Sequence, residues 1–199
     1  MTVLVGDNGT GKSTIVEALA VVADFNVEGG GRNLQFTTHS THSALHEHLA
    51  PQWRRRPPWG WFLRAETFYG MASHIADDPE QVAYFPRLHE ESHGESFLDL
   101  AQERFQEPGF YILDEPEAAL SIQGQMILAR LMYESMGVGS QFVVATHSPF
   151  LMAYPDAALY ELSPNGIEPI AFADLTAVNL WRRFFDDPAN YYRPLLADD

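Results

Sequence analysis

Apolar residues occur along this chain in two rhythms, one typical of buried strands and the other typical of helices. Short apolar runs, which predict strands covered on both faces, lie at residues 2–5, 110–113 and 142–145. Longer stretches carry apolar residues three and four positions apart, which is the spacing of one helix face. One of these stretches follows the first apolar run and ends at about residues 24–27. The others lie at residues 96–105, 123–136 and 176–185. Strands that alternate with helices predict an α/β fold with a mainly parallel sheet flanked by helices.

The remaining segments are shorter, and their assignment depends on alternation and turn residues. Residues 59–64 alternate well enough for a further strand, and residues 159–162 and 167–172 predict a hairpin across residues 163–166. The other expected segments are a strand at 33–38, short helices at 43–49 and 68–75, an exposed loop at 54–58 and a loose tail beyond residue 188.

With 199 residues, of which 46% are hydrophobic, the chain can bury one substantial core. We therefore expect one domain over residues 1–199, with an irregular insertion at about 28–90 and a C-terminal hairpin plus helix at about 157–187. No apolar run approaches the ~20 residues of a membrane helix, and the first apolar run is a strand rather than a signal peptide. The absence of cysteine excludes disulfides and fits a reducing compartment. We expect a cytoplasmic protein without direct membrane insertion.

The formal net charge of −15 argues against a broad basic surface for nucleic acid and leaves room only for a small local patch. One such patch combines the arginines at 54–56 with Trp53, Trp59 and Trp61. It could stack on a single strand, or it could equally be a solvated loop over an acidic surface. Two histidine groups are candidate metal sites, for which exposed histidines are the simpler interpretation. They are His39, His42, His46 and His48, and an H-E-x-x-H match formed by His89, Glu90 and His93.

Residues 6–14 (GDNGTGKST) match the phosphate-loop pattern G-x-x-x-x-G-K-[ST] at every required position. The motif lies between a predicted strand and a predicted helix, so its backbone N–H groups point at one spot beside a helix N-terminus. Lys12 can reach the β- and γ-phosphates of a nucleotide, and the Ser13 hydroxyl can hold Mg²⁺. The alternative is a glycine-rich turn without nucleotide. The phosphate-binding candidates are Asn8, Gly9, Thr10, Gly11, Lys12, Ser13 and Thr14.

A second motif, residues 110–116 (FYILDEP), places two carboxylates directly after a buried strand. This is the Walker B arrangement, in which Asp114 reaches the Mg²⁺ held by Ser13 and Glu115 polarises the attacking water. The alternative is a strand that ends in an acidic turn. The next strand ends at His147, which can contact the γ-phosphate and orient the water, or can be a polar strand cap.

The order and spacing of these motifs resemble the ABC-class ATPases, which include transporter ATPase subunits and chromosome-maintenance and DNA-repair ATPases. Residues 6–13 are similar to Walker A, residues 114–116 to Walker B with its catalytic glutamate, residues 117–121 to the D-loop and His147 to the switch histidine. Residues 92–96 (SHGES) stand where the family carries its L-S-G-G-Q signature, and they keep the serine and one glycine. The resemblance implies a P-loop NTPase fold that binds ATP with Mg²⁺.

In that family the signature segment caps the γ-phosphate bound to the partner subunit, and by position Ser92 and Gly94 inherit these contacts. One chain then forms an incomplete site, so the resemblance implies a head-to-tail homodimer around two ATP molecules. More narrowly, the chain resembles a compact group of bacterial AAA-family ATPases from residue 2 to about residue 196. The blocks typical of that group are residues 62–66, 92–97 and 114–121.

Two features depart from the family pattern. The family carries antiparallel strands before Walker A, with an aromatic residue that stacks on adenine, whereas Met1 lies one residue before the strand here. We therefore expect that platform to be missing, truncated or supplied from elsewhere. The Q-loop glutamine, a metal contact, also has no clear counterpart. Glu66 is the candidate by position, and Gln35 is a second one.

The leading hypothesis is an ATPase that binds Mg-ATP, dimerises across two nucleotides and hydrolyses them as a conformational switch. Two alternatives remain. One is an interaction module that binds nucleotide with little turnover, because the signature has diverged. The other is the ATP-binding subunit of a membrane transporter, against which the weak signature and the lack of a long helical region for coupling helices both count.

Overall fold

The computed structural model describes residues 1–32, 43–54, 56–68 and 93–197. Within these ranges the strands are β1 (Thr2–Val5), β2 (Trp59–Arg64), β3 (Gly109–Asp114), β4 (Gln141–Ala145), β5 (Ala158–Ser163) and β6 (Gly166–Pro169). They form one sheet in the order β2-β3-β4-β1-β5-β6. All neighbours pair in parallel except β5 and β6, which pair antiparallel. The predicted α/β fold with a mainly parallel sheet is confirmed.

Helices flank the sheet and connect most of its strands. The α-helices in the described ranges are α1 (Lys12–Val22), α2 (His93–Arg104), α3 (Ile122–Gly137), α4 (Pro149–Met152), α5 (Thr176–Asp186) and α6 (Pro188–Leu196). Three 3₁₀ helices span Ala44–His48, Pro116–Ala119 and Phe172–Asp174, and residues 65–68 are also helical. No helix in the described part of the chain is long and apolar enough to cross a bilayer.

The sheet separates two layers of packed side chains. On one face Tyr111 and Phe142 join a cluster with Phe97 of α2 and residues of α3. On the other face Ile112 joins a cluster with Val16 of α1. Strand β3 is buried at all six positions, because it has a strand on either side and helices above and below. Its uninterrupted apolar run reflects this central place.

The C-terminal region differs most from the sequence-based expectation. The tail beyond residue 188 is not loose but forms α6, because Pro188 starts the helix and Asp187 caps it by accepting a hydrogen bond from the Asn190 N–H. The helix is short and contains Pro194, which hides its periodicity. The second hairpin strand ends at Pro169 rather than residue 172, since a 3₁₀ helix follows.

Other boundaries lie near those predicted. Helix α1 ends at Val22, slightly before the expected range, because Asp24 adopts a left-handed conformation with φ of 63°. The strand at residues 59–64 and a short helix within residues 43–49 are confirmed. The strand expected at 33–38 and most of the helix expected at 68–75 fall outside the described residues.

Candidate functional site

The turn between β1 and α1 is shaped by its three glycines. Gly9 and Gly11 have φ values of 79° and 95°, in the left-handed region that favours glycine. A side chain on Gly6 would place its Cβ 2.5 Å from the carbonyl oxygen of Leu162 in β5, so that position also needs glycine. Gly11 is the N-cap residue of α1, which leaves the first N–H groups of the helix facing the turn. This is a ready-made anion site.

The Lys12 side chain is folded back over the same turn. Its Nζ donates hydrogen bonds to the carbonyl oxygens of Gly6 at 2.8 Å and Asp7 at 3.1 Å, and the residue is only 4% exposed. Burial lowers the pKa of Lys12, while the carboxylates of Glu115 and Asp114 act in the opposite direction. The ammonium group therefore lies among the carbonyl oxygens that frame the predicted phosphate position.

Asp114 and Ser13 meet across the edge of the sheet. The Ser13 hydroxyl donates a hydrogen bond to Oδ1 of Asp114 at 3.2 Å, and Asp114 is 3% exposed. Burial raises the pKa of Asp114 to about 6, against the opposing effects of Arg64 and of the Ser13 hydrogen bond. The two residues are 101 positions apart, and the fold brings them together because β3 ends beside the start of α1.

The donor set around Asp114 suits Mg²⁺. A hydroxyl oxygen and a carboxylate oxygen are hard ligands of the kind that Mg²⁺ takes, and nucleotide phosphates usually supply others. Within the described ranges no group of three or more His, Cys, Asp or Glu side chains could hold a metal alone. Glu66, the Q-loop candidate, lies two residues after β2 with its side chain 80% exposed and bonded to Arg64 at 3.2 Å. Gln35 lies outside the described residues.

Glu115 and His147 lie together at the more open part of the same edge. Oε1 of Glu115 is 3.5 Å from Nε2 of His147, and the two side chains are 42% and 38% exposed. Glu115 has φ of 47°, an unusual backbone conformation for a residue with a side chain. The backbone N–H of Glu115 donates a hydrogen bond to the carbonyl oxygen of Ala145. This bond fixes Glu115 to the end of β4, two residues before His147.

Glu117 holds the segment that contains His147, although its sequence position did not mark it as an individual site residue. The carboxylate of Glu117 accepts hydrogen bonds from the Thr146 hydroxyl at 2.7 Å and from the His147 N–H at 2.5 Å. Behind it, the Ser148 hydroxyl donates to the buried Gln125 at 2.5 Å. The segment that follows β3 is therefore hydrogen-bonded to the segment that follows β4. The only sequence signal was the position of Glu117 in the D-loop match.

The signature segment is described only in part. Ser92 lies outside the described residues, whereas Gly94 is in the first turn of α2. A Cβ on Gly94 would lie 3.1 Å from the carbonyl oxygen of Ala119, so α2 begins close to the 3₁₀ helix that follows Glu115. Gly94, which belongs to the described part of the signature candidate, thus lies beside the 3₁₀ helix at Pro116–Ala119 of its own chain.

The alternative sites gain no support from the described residues. His39, His42 and the H-E-x-x stretch at 89–92 lie outside them. Nδ1 of His46 is 3.0 Å from the Ser43 carbonyl oxygen, which is a local helix contact.

Two of the three tryptophans of the candidate nucleic-acid patch pack inward. Trp53 makes an edge contact with Phe110 at 5.4 Å between ring centroids. Trp61 is buried, with the Arg104 guanidinium 4.7 Å from its ring centroid. Trp59 is 54% exposed, and Arg56 is paired with Asp24. Most of the aromatic surface is therefore not available for stacking on bases.

Comparisons with known proteins find one matching family and several similar proteins. A family described as "AAA domain, putative AbiEii toxin, Type IV TA system" matches residues 1–52 and 96–153. The cytochrome c biogenesis ATP-binding export protein CcmA of Rhodopseudomonas palustris strain HaA2 is 26% identical over 73% of this chain and 77% of its own length. CcmA of Rhodopseudomonas palustris strain BisB18 is 28% identical over 75% of this chain and 79% of its own length. The SMC head domain from Thermotoga maritima is 20% identical, with a TM-score of 0.47 over 85% of this chain and 90% of that one.

Proposed function

The chain belongs to this AAA-domain family, a P-loop ATPase of the ABC type, and from that premise we propose that it binds Mg-ATP and hydrolyses it as a nucleotide-dependent dimeric switch. The observation that carries the proposal is the convergence of five groups on one sheet edge. Lys12, Ser13 and Asp114 lie on its buried part, and Glu115 and His147 lie on its open part.

The proposed binding roles follow from the donors. The backbone N–H groups of the residue 8–14 turn would surround the phosphates, and Lys12 would exchange the carbonyl oxygens of Gly6 and Asp7 for phosphate oxygens. Ser13 and Asp114 would hold Mg²⁺, with Glu66 as a further candidate. The metal supplies charge neutralisation at the β- and γ-phosphates.

The proposed hydrolysis uses the two residues on the open part of the edge. Glu115 would accept a hydrogen bond from the attacking water and draw its proton away from the oxygen as the bond to the γ-phosphorus forms. The bond between that phosphorus and the bridging oxygen would break at the same time, so that ADP and inorganic phosphate leave. His147, 3.5 Å from Glu115, would hold the γ-phosphate in line with that water. Both side chains are more than a third exposed, whereas Nε2 of His147 is itself buried and has no hydrogen-bond partner within the described residues.

The half-open state of this pair also supports a dimer. Water-excluded sites make electrostatic stabilisation stronger, and the described part of one chain leaves the side chains of Glu115 and His147 42% and 38% exposed. We propose that a second copy, packed head to tail, covers them with Ser92 and Gly94. ATP would then bind at both interfaces, and hydrolysis would separate the subunits.

The variant Glu115→Gln tests the reaction and the dimer together. It should still bind ATP, should accumulate as a dimer in size-exclusion chromatography with light scattering, and should lose phosphate release by about 10²-fold or more. Glu168→Gln in β6 is a matched control, because Glu168 is an exposed glutamate on the far edge strand. Unchanged phosphate release in Glu115→Gln would refute the assignment of the glutamate.

Two alternatives are separated by further measurements. The CcmA relatives, named as ATP-binding export proteins, favour a transporter subunit as the second candidate. Specific co-purification of the Glu115→Gln variant with a membrane permease would support that candidate over a free-standing switch. Single-turnover hydrolysis measured beside nucleotide affinity separates an enzyme from a binding module with little turnover.

A further inference from the structure

Four side chains around the predicted metal position form a closed ring. Ser13 and Glu17 are four residues apart in α1, so they lie on one face of that helix. Arg64 and Asp114 are direct register partners in β2 and β3. Ser13 bonds to Asp114 at 3.2 Å, and Nη1 of Arg64 bonds to Glu17 at 2.5 Å. Nε of Arg64 lies 3.5 Å from Oδ2 of Asp114 and completes the ring.

The ring joins α1 to the sheet at two points. One point, Ser13 to Asp114, consists of the two groups proposed to hold Mg²⁺. The other, Glu17 to Arg64, lies one helical turn further from the phosphate turn. Because both connections start on the same face of α1, fixing the second one limits how far Ser13 can move from Asp114.

The environment of the Arg64–Glu17 pair makes it more than a surface ion pair. The two side chains are 20% and 17% exposed, whereas the Arg130–Glu134 pair on α3 is 68% and 53% exposed. Exposed pairs of that kind contribute little to stability, because water and salt screen them. A guanidinium also offers several donors in a fixed plane. Arg64 donates hydrogen bonds to Glu17 and, at 3.2 Å, to Glu66, while its Nε makes an ion-pair contact with Asp114 without a hydrogen bond.

We propose that Arg64, held by Glu17, is a positioning residue that sets the distance and orientation of Asp114 relative to Ser13 for the metal-nucleotide complex. The inference rests on the proposed function, because it concerns the same metal position. Without the guanidinium, Oδ2 of Asp114 loses its cation and α1 loses its second connection to the sheet. The Ser13 and Asp114 oxygens can then separate, while the backbone turn that surrounds the phosphates is unchanged.

The test is the binding of ADP, measured by calorimetry with Mg²⁺ and again with EDTA. In the wild-type protein Mg²⁺ should strengthen ADP binding, and we call the ratio of the two affinities the metal factor. Arg64→Gln should reduce the metal factor about tenfold and leave the metal-free affinity within about twofold. Glu17→Gln should reduce the metal factor in the same direction, and Arg64→Lys, which keeps the charge but not the planar donors, should restore part of it.

The matched control is Arg130→Gln, which removes an arginine from the exposed pair on α3 and should leave the metal factor at its wild-type value. A wild-type metal factor in Arg64→Gln overturns the inference. An equal loss of affinity with and without Mg²⁺ also overturns it, because that loss would mean general damage to the turn. If Arg64→Gln does not fold, Glu17→Gln decides by the same two criteria.

Failure of the inference can be distinguished from failure of the proposed function. If the wild-type protein binds no nucleotide, the proposed function fails and the inference falls with it. If it binds ADP but hydrolyses no ATP, the dimeric-switch proposal fails and the metal factor still tests the role of Arg64.

Discussion

Two adjacent carboxylates at the end of β3 lie in very different surroundings. Asp114 is 3% exposed, bonded to Ser13 and close to Arg64. Glu115, the next residue, is 42% exposed and faces His147. The change occurs within one residue because Asp114 ends the strand in register with Ala145, whereas Glu115 turns the chain with φ of 47°.

This difference separates the part of the site that is closed within one chain from the part that is not. The part proposed to hold Mg²⁺, which we call the metal side, consists of Ser13, Asp114, Arg64 and Glu17 and is closed by a hydrogen bond and ion pairs within the chain. The part proposed to orient the attacking water, which we call the water side, consists of Glu115 and His147. Glu117 holds the backbone of His147, and the two side chains are 42% and 38% exposed. We interpret the metal side as prepared for binding and the water side as dependent on a partner.

The largest effect is expected at the phosphate turn, which adjoins the metal side. Lys12→Ala removes the ammonium group from the phosphate turn, and a buried charge contact of this kind is worth about 2–5 kcal/mol. ATP affinity should therefore fall by about 10²–10³-fold in calorimetry, and hydrolysis should fall with it. An affinity near the wild-type value would show that the turn binds phosphate without Lys12, which would contradict its assigned role.

A change behind the water side should have a smaller and more selective effect. Glu117→Gln leaves only one acceptor for the two donors, Thr146 Oγ1 and His147 N, so His147 should shift away from Glu115. The kcat should fall roughly 10–100-fold, while the KM for ATP stays within about threefold. Steady-state kinetics beside Glu168→Gln measures this split. A raised KM with an unchanged kcat would place Glu117 on the binding side instead.

The metal side should also carry a stability cost that depends on pH. The pKa of Asp114 in the folded chain is raised to about 6, so the folded state holds this proton more tightly than the unfolded chain does. The stabilisation from that proton is complete below the ordinary pKa near 4 and is lost as pH rises through 6. Asp114→Asn should thus raise the nucleotide-free free energy of unfolding at pH 7.5 by on the order of 2–3 kcal/mol.

Urea unfolding at pH 7.5 and at the lowest pH where the protein stays folded measures this difference. The gain from Asp114→Asn should shrink as the pH falls. An equal gain at both pH values would mean that the amide improves packing and that the charge of Asp114 has no part in the effect.

The smallest effect is expected far from both sides. Asp187→Ala removes the cap of α6 and should cost about 1 kcal/mol, seen as a slightly lower Tm and some loss of helical circular dichroism. ATP affinity and kcat should stay at their wild-type values. A loss of hydrolysis in this variant would show that the C-terminal helices contribute to the open side of the site.

Local patterns in the sequence predict much of this architecture. The glycine, lysine and serine spacing at residues 6–14 demands a turn between a strand and a helix, and the apolar run before Asp114 demands a strand buried on both faces. These are short-range constraints, set by backbone sterics and by the period of each element, so a single sequence contains them. The sequence pattern did not predict helix α6, because its nine residues include a proline and span too few turns to show a helical period.

The contacts that divide the site depend on the order and register of strands, which local periodicity does not contain. Arg64 faces Asp114 because β2 pairs with β3 in one particular register, and a slip by one residue would turn Arg64 to the opposite face. Glu117 reaches Thr146 and His147 across about thirty positions because β3 and β4 are neighbours. Both contacts join elements that are distant along the chain, and packing of the whole sheet is what brings them within hydrogen-bonding distance.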